Sequence, residues 1–118
     1  MLESLRWYLR AHKYKAKVEP QEIDFVIQHV RKGQVAVDIG AYKGAFVYWM
    51  QRMVGPAGRV FAFEPQPRLA QYLRRLFRDR PNICVEQFAL SDHVGHADLF
   101  VPVRPGRPEV SQLASLQD

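Results

Sequence analysis

Apolar positions recur along the chain with two distinct periods, and the period changes wherever glycine or proline intervenes. Ile23, Val26, Ile27 and Val30 follow the i, i+3, i+4, i+7 spacing of one helical face. Pro20 suits the first position of that helix and Gly33 its stop, so residues 20–31 predict a helix. Val35 to Ile39 is short and rich in branched residues, which predicts a strand. From Gly44 to Val54 the chain is apolar almost all round (Phe46, Val47, Trp49, Met50, Met53, Val54), the mark of a buried helix. Gly55-Pro56-Ala57-Gly58 reads as a turn. Residues 59–63 predict a second strand. A further helix begins near Pro67, with Leu69, Leu73, Leu76 and Phe77 inward and the arginines outward, and Pro81-Asn82 breaks it.

Residues 83–88 predict a third strand, 91–95 a turn, and 97–101 one more strand, expected to be antiparallel. The tail over 102–118 reads as loop-like. At the other end, Leu2, Leu5, Tyr8, Leu9 and His12 share one helical face and predict a short docking helix. Strands alternating with helices give an α/β fold with a parallel core. A single domain is expected, with N-terminal helices over 1–33, a βαβαβ unit and hairpin over 34–101, and the tail beyond.

Composition narrows the class. At 118 residues the chain is one domain at most, and with 47% hydrophobic residues it can bury a core. The longest apolar run, Ala45 to Met50, is far short of the roughly 20 residues of a membrane span. No signal peptide is evident, and the lone Cys84 reads as a small core residue, so a reducing, cytoplasmic setting is expected. No metal-ligating cluster stands out. The net charge of +5 comes from two basic groups, Arg6, Arg10, Lys13, Lys15 and Lys17, then Arg68, Arg74, Arg75, Arg78 and Arg80. Such clusters can bind nucleic acid. The aromatics beside them sit at helical spacing and offer no stacking platform, so solvated helix faces are the favoured reading.

The chemistry concentrates in Asp38-Ile39-Gly40-Ala41-Tyr42-Lys43-Gly44 and, twenty residues on, in Glu64-Pro65. Glycines between a strand and a helix let the backbone approach a ligand with no Cβ in the way. A plain βα turn also uses glycine, and an acid before a proline can be a mere surface residue. The spacing from glycine turn to strand-end acid favours a ribose-bearing ligand, whose vicinal hydroxyls Glu64 would accept. A phosphate-cradling loop needs Gly-Lys-Ser/Thr, and Gly44 is followed by Ala45. A dinucleotide site expects Gly-x-Gly-x-x-Gly, whereas here the order is Asp-x-Gly-x-x-x-Gly. Asp38 would repel a pyrophosphate and suit the ammonium and sulfonium of S-adenosylmethionine, with that ligand's carboxylate at the following helix N-terminus.

The blocks Val-Ala-Val-Asp-Ile-Gly-Ala-Tyr-Lys-Gly (35–44), Val-Phe-Ala-Phe-Glu-Pro (60–65), Asn-Ile-Cys-Val (82–85) and Phe-Ala-Leu-Ser-Asp-His-Val-Gly (88–95) resemble, in order and spacing, the FkbM family of class I S-adenosylmethionine-dependent methyltransferases. The resemblance covers about residues 20–103, with a fainter match at Ala114-Ser115-Leu116. It implies a Rossmann-like sheet of order 3-2-1 with an extra antiparallel strand. It also implies a methionine-binding loop of Asp38, Gly40, Ala41, Tyr42 and Gly44, a ribose site at Glu64 with Pro65 shaping the turn, and an adenine edge at Ala89, Leu90 and Ser91. Tyr42 has the alternative of packing on the helix that follows.

Family members typically methylate a hydroxyl of a sugar, a polyketide or a similar acceptor. Their pattern continues with a fourth strand, an acidic Asp-x-Glu-Gly-like motif and three more strands, whereas this chain ends at Asp118. The resemblance therefore implies a truncated, cofactor-binding half, and no catalytic residue is named. His93 and His96 flank a turn and read as surface histidines. An O-methyltransferase portion acting on a small-molecule or glycan acceptor is the leading expectation, and an inactive half-domain serving as an oligomerisation or binding module is the alternative. Strand 35–39 would be a bare edge, open to a second copy or a completing chain.

Overall fold

In a computed structural model, the structure describes residues 2–89, 98–100 and 115–117. The first strand, β1, spans Val35–Ile39, and the second, β2, spans Arg59–Phe63, both where the apolar pattern puts them. β3 covers Ile83–Glu86. The three form one parallel sheet in the order β1-β2-β3, with Ala36 opposite Val60 and Val60 opposite Ile83. The expected 3-2-1 order holds.

Between the strands, α3 (Ala45–Val54) and α4 (Pro67–Leu76) make the crossovers, preceded by α1 (Leu2–Lys13) and α2 (Pro20–His29). A π-helical turn, Tyr14–Val18, joins α1 to α2. Pro20 and Pro67 each open their helix, where a missing N–H costs nothing. Beyond the main sheet, β4 (Asp98–Phe100) pairs antiparallel with β5 (Ser115–Gln117). The fourth strand is antiparallel as expected, but its partner is β5 in a separate two-stranded sheet, which corrects the expectation of an extra strand on the main sheet. The loop-like tail is corrected at its end, where Ser115–Gln117 forms a strand. The turn expected at 91–95, with His93 and His96, lies outside the described residues.

The core lies on one face of the sheet. Ala36, Val60, Ala62 and Ile83 pack under Val47, Trp49, Val54, Leu73, Leu76 and Phe77. The period-2 rule sends the intervening residues to the other face. There Val35, Val37 and Ile39 are 63%, 46% and 63% exposed, and Phe61 and Phe63 are half-buried. β1 is thus open along its edge, as expected, and also along a whole apolar face.

The docking face of α1 is corrected. Leu2, Leu5, Tyr8 and Leu9 are exposed, while Trp7 and Ala11 are buried. Trp7 offers the largest apolar area in the helix together with an N–H that must find an acceptor when buried. It sits edge-on to Tyr48 and to Phe77, each at a centroid separation of 5.1 Å. Trp49 Nε1 donates back to the Ala11 carbonyl at 3.0 Å, so two indoles fasten α1 to α3.

Candidate functional site

The candidate residues gather at the C-terminal ends of β1 and β2, where open α/β sheets hold their ligands. The loop after β1 turns sharply. Gly40, Tyr42 and Gly44 have φ of 79°, 54° and 86°. Left-handed backbone is cheap for glycine and uncommon for tyrosine. The loop is held from the β2 side by hydrogen bonds. The N–H groups of Gly40 and Ala41 both donate to the Phe63 carbonyl, at 2.8 and 3.0 Å.

Glu64 closes the arrangement. It is only 2% exposed. Its Oε1 accepts the Tyr42 N–H at 2.8 Å, and its Oε2 accepts the Gln66 N–H at 3.0 Å. One carboxylate thereby joins the two loops that leave β1 and β2. Each oxygen keeps a second lone pair for a further donor. Reading the sequence assigned Glu64 a ligand and missed this latch. Its signal was the burial of an acid, which sequence alone does not display.

Asp38 stands on the covered face of the sheet, in register with Ala62. Burial lifts its carboxyl from 3.8 to about 6, with repulsion from Glu64 and then Glu19 adding to the effect. An acid held this way gains by meeting a positive charge. A Cβ built on Gly40 meets nothing within 4 Å, so the backbone there borders open space. Gly44 is different, because a Cβ would lie 3.1 Å from Phe77 and 3.3 Å from both Leu73 and Trp7. Gly40 thus borders open space, and Gly44 is the glycine needed for packing.

Gly44 caps α3 without help from a side chain. Ala41 is buried, and Tyr42 and Pro65 are half-buried. The Lys43 ammonium stands 5.5 Å from the centroid of the Tyr42 ring. Ala89 follows β3 and is half-buried, while Leu90 and Ser91 lie outside the described residues. The structure therefore brings Asp38, Gly40, Ala41, Tyr42, Gly44, Glu64 and Pro65 together. Among the described residues no group of His, Cys, Asp or Glu could hold a metal ion, and no helix is long and apolar enough to cross a membrane. An open groove of about 560 Å³, lined by Gly33, Val35, Gly58, Arg59 and Asn82 among others, lies at the opposite end of the strands and shares none of these residues.

The basic groups are largely exposed, but not uniformly so. Lys15 pairs with Asp24 at 3.6 Å, and the Arg80 guanidinium lies 4.9 Å from the centroid of the Trp7 ring.

This fold is that of the Rossmann-like class I methyltransferases. Over 59% of this chain and 39% of the other, it resembles a protein from Clostridium thermocellum assigned as an rRNA methylase, with a TM-score of 0.54 and 22% identity. It also resembles a SAM-dependent O-methyltransferase from Thermotoga maritima (TM-score 0.51, 23% identity, 58% of this chain and 28% of that one). A protein-L-isoaspartate O-methyltransferase aligns with a TM-score of 0.53 and 21% identity, over 60% of this chain and 24% of that one. The chain thus spans well under half the length of these structural relatives. No curated protein matches it in sequence. The methyltransferase FkbM domain matches residues 38–117, and the chain belongs to that family.

Proposed function

We propose that this chain supplies the S-adenosylmethionine-binding part of a methyltransferase that methylates a hydroxyl oxygen of a sugar or natural-product acceptor. The observation that carries the reading is the convergence of Asp38, Gly40 and Glu64 at the ends of two neighbouring parallel strands. Asp38 would face the ligand's positive charge, and Gly40 would let the loop approach it. Ala41, Tyr42 and Gly44 would shape the methionine side. Glu64 would accept the ribose hydroxyls on its remaining lone pairs, with Pro65 fixing the turn. Ala89, Leu90 and Ser91 would border the adenine. When bound, the cofactor supplies an electrophilic methyl group, and the acceptor hydroxyl must lose a proton to a base. No residue of this chain is assigned that proton.

Calorimetric titration with S-adenosylmethionine and S-adenosylhomocysteine tests the reading. Saturable binding supports it. The absence of both heat and a thermal shift at millimolar ligand would sink it.

The open face of β1 favours a second reading, in which the chain serves as a module that associates with another copy or with a completing chain. Light scattering decides it. Self-association in the wild type that Val37→Lys abolishes supports pairing with a second copy, and a stable wild-type monomer counts against that.

A further inference from the structure

We infer that Trp7 and Arg10, on a helix outside the matched methyltransferase domain, are positioning residues for the cofactor loop. The inference rests on the cofactor reading above and extends it to α1.

The last two peptide groups before α3 are both gripped from behind. Trp7 Nε1 donates to the Gly44 carbonyl at 2.7 Å, within the buried interior. Arg10 Nη1 donates to the Lys43 carbonyl at 3.1 Å and to the Tyr72 hydroxyl at 3.3 Å. Tyr72 lies on α4, so Arg10 spans from the loop to the crossover helix that follows β2. Gly44 O also accepts the Tyr48 N–H at 3.1 Å, the first hydrogen bond of α3.

A trans peptide group is planar, and its C=O and N–H point in opposite directions. Fixing the Lys43 and Gly44 carbonyls therefore fixes the N–H vectors of Gly44 and Ala45. The Gly44 N–H is directed to the Ala41 carbonyl at 2.9 Å, which closes the loop on itself. The Ala45 N–H opens α3, and with it the helix end proposed to meet the ligand's carboxylate. From the β2 side, Glu64 and the Phe63 carbonyl hold only Gly40, Ala41 and Tyr42. The far half of the loop, Lys43 and Gly44, is held by α1. A segment with three left-handed residues needs such anchoring to keep one shape.

The test compares the full wild-type chain with Arg10→Met, Arg10→Lys and Trp7→Phe. Each is titrated with S-adenosylhomocysteine, melted thermally, and followed by amide hydrogen exchange. Arg10→Met is expected to weaken binding about tenfold and to speed exchange at Gly44, whose N–H is bonded to the Ala41 carbonyl, while β1 and β2 keep wild-type protection. Arg10→Lys, which retains a donor, should recover most of the affinity. Trp7→Phe keeps a ring against Tyr48 and Phe77 but loses the N–H, and it should act in the same direction. Wild-type affinity in Arg10→Met, or exchange that quickens uniformly through the chain, overturns the inference. If the wild type itself takes up no S-adenosylhomocysteine, the cofactor reading fails separately. Exchange at Gly44 in Arg10→Met then decides, with selective acceleration upholding the clamp and no acceleration overturning it.

Discussion

Replacing Asp38 with asparagine should stabilise the free protein and weaken its hold on a cationic ligand, and pH separates the two effects. The Asp38 carboxyl is raised from 3.8 to about 6, first by burial, then by Glu64 and Glu19. A raised carboxyl means that the folded state disfavours the charge more than the unfolded state does. Below pH 4 both states are protonated and nothing is lost. Between pH 4 and 6 the unfolded chain ionises first, and above pH 6 the full penalty applies. Each tenfold difference in proton affinity is worth about 1.4 kcal/mol, which puts the ceiling at roughly 3 kcal/mol. Asparagine keeps the size but still buries an amide, so a gain of about 1–3 kcal/mol at pH 7.5 is expected. The buried Trp7 and Trp49 serve as fluorescent reporters of urea unfolding. The stability advantage of Asp38→Asn should be present at pH 7.5, shrink from pH 6 downward and vanish near pH 4. In the wild type, affinity for S-adenosylmethionine should fall as pH drops through 6, because the attracting charge is lost. In the variant, affinity should be lower throughout and flat across that window. An advantage of Asp38→Asn that is absent at pH 7.5, or that survives undiminished at pH 4, would refute the reasoning.

Glu64→Ala should cost about 2–5 kcal/mol of stability, because the N–H groups of Tyr42 and Gln66 lose their buried acceptor. Urea denaturation measures the loss, and an unchanged midpoint would show that the latch carries no energy. Glu64→Gln keeps one acceptor oxygen and should unfold less easily than Glu64→Ala, while still losing the charge offered to a ribose. Gly44→Ala should destabilise by about 2–4 kcal/mol, from left-handed strain plus contacts at 3.1–3.3 Å. Gly40→Ala meets open space, so it should cost only about 1–2 kcal/mol in strain yet weaken S-adenosylhomocysteine binding more than its stability loss explains. Thermal melts and calorimetry on the pair check both statements.

The main sheet was legible because its signals are local. β1 is a short apolar run between Gly33 and Gly40, β2 runs from Gly58 to Glu64-Pro65, and α2 and α4 open on proline, so their limits follow from backbone chemistry. β5 was missed because Ser115–Gln117 carries no strand pattern of its own and owes its form to pairing with β4. The face of α1 was misread for a similar reason. Leu2, Leu5 and Leu9 make a convincing stripe by themselves, yet Trp7 is what docks, since its indole finds the Gly44 carbonyl thirty-seven residues away. Leucine periodicity is visible within a single helix, whereas a distant acceptor for one N–H is not.

The same distinction runs through the site. Spacing alone brought Asp38, Gly40 and Glu64 to one place, because a βαβ unit puts consecutive strand ends side by side. It did not show what each group does there. Gly40 and Gly44 look alike in sequence, and only their surroundings divide them into a glycine facing open space and one in a packing contact. Glu64 looked like a residue waiting for a ribose, and it also spends one lone pair of each oxygen on holding the loops together. A ligand binding at Glu64 would therefore act on a group that already fixes Tyr42 and, through it, the turn between Gly40 and Gly44. Cofactor occupancy should then be felt as added rigidity of the whole loop, including the half that Trp7 and Arg10 hold from the other side. The cofactor site and the N-terminal helix would be coupled through the backbone of residues 40–44.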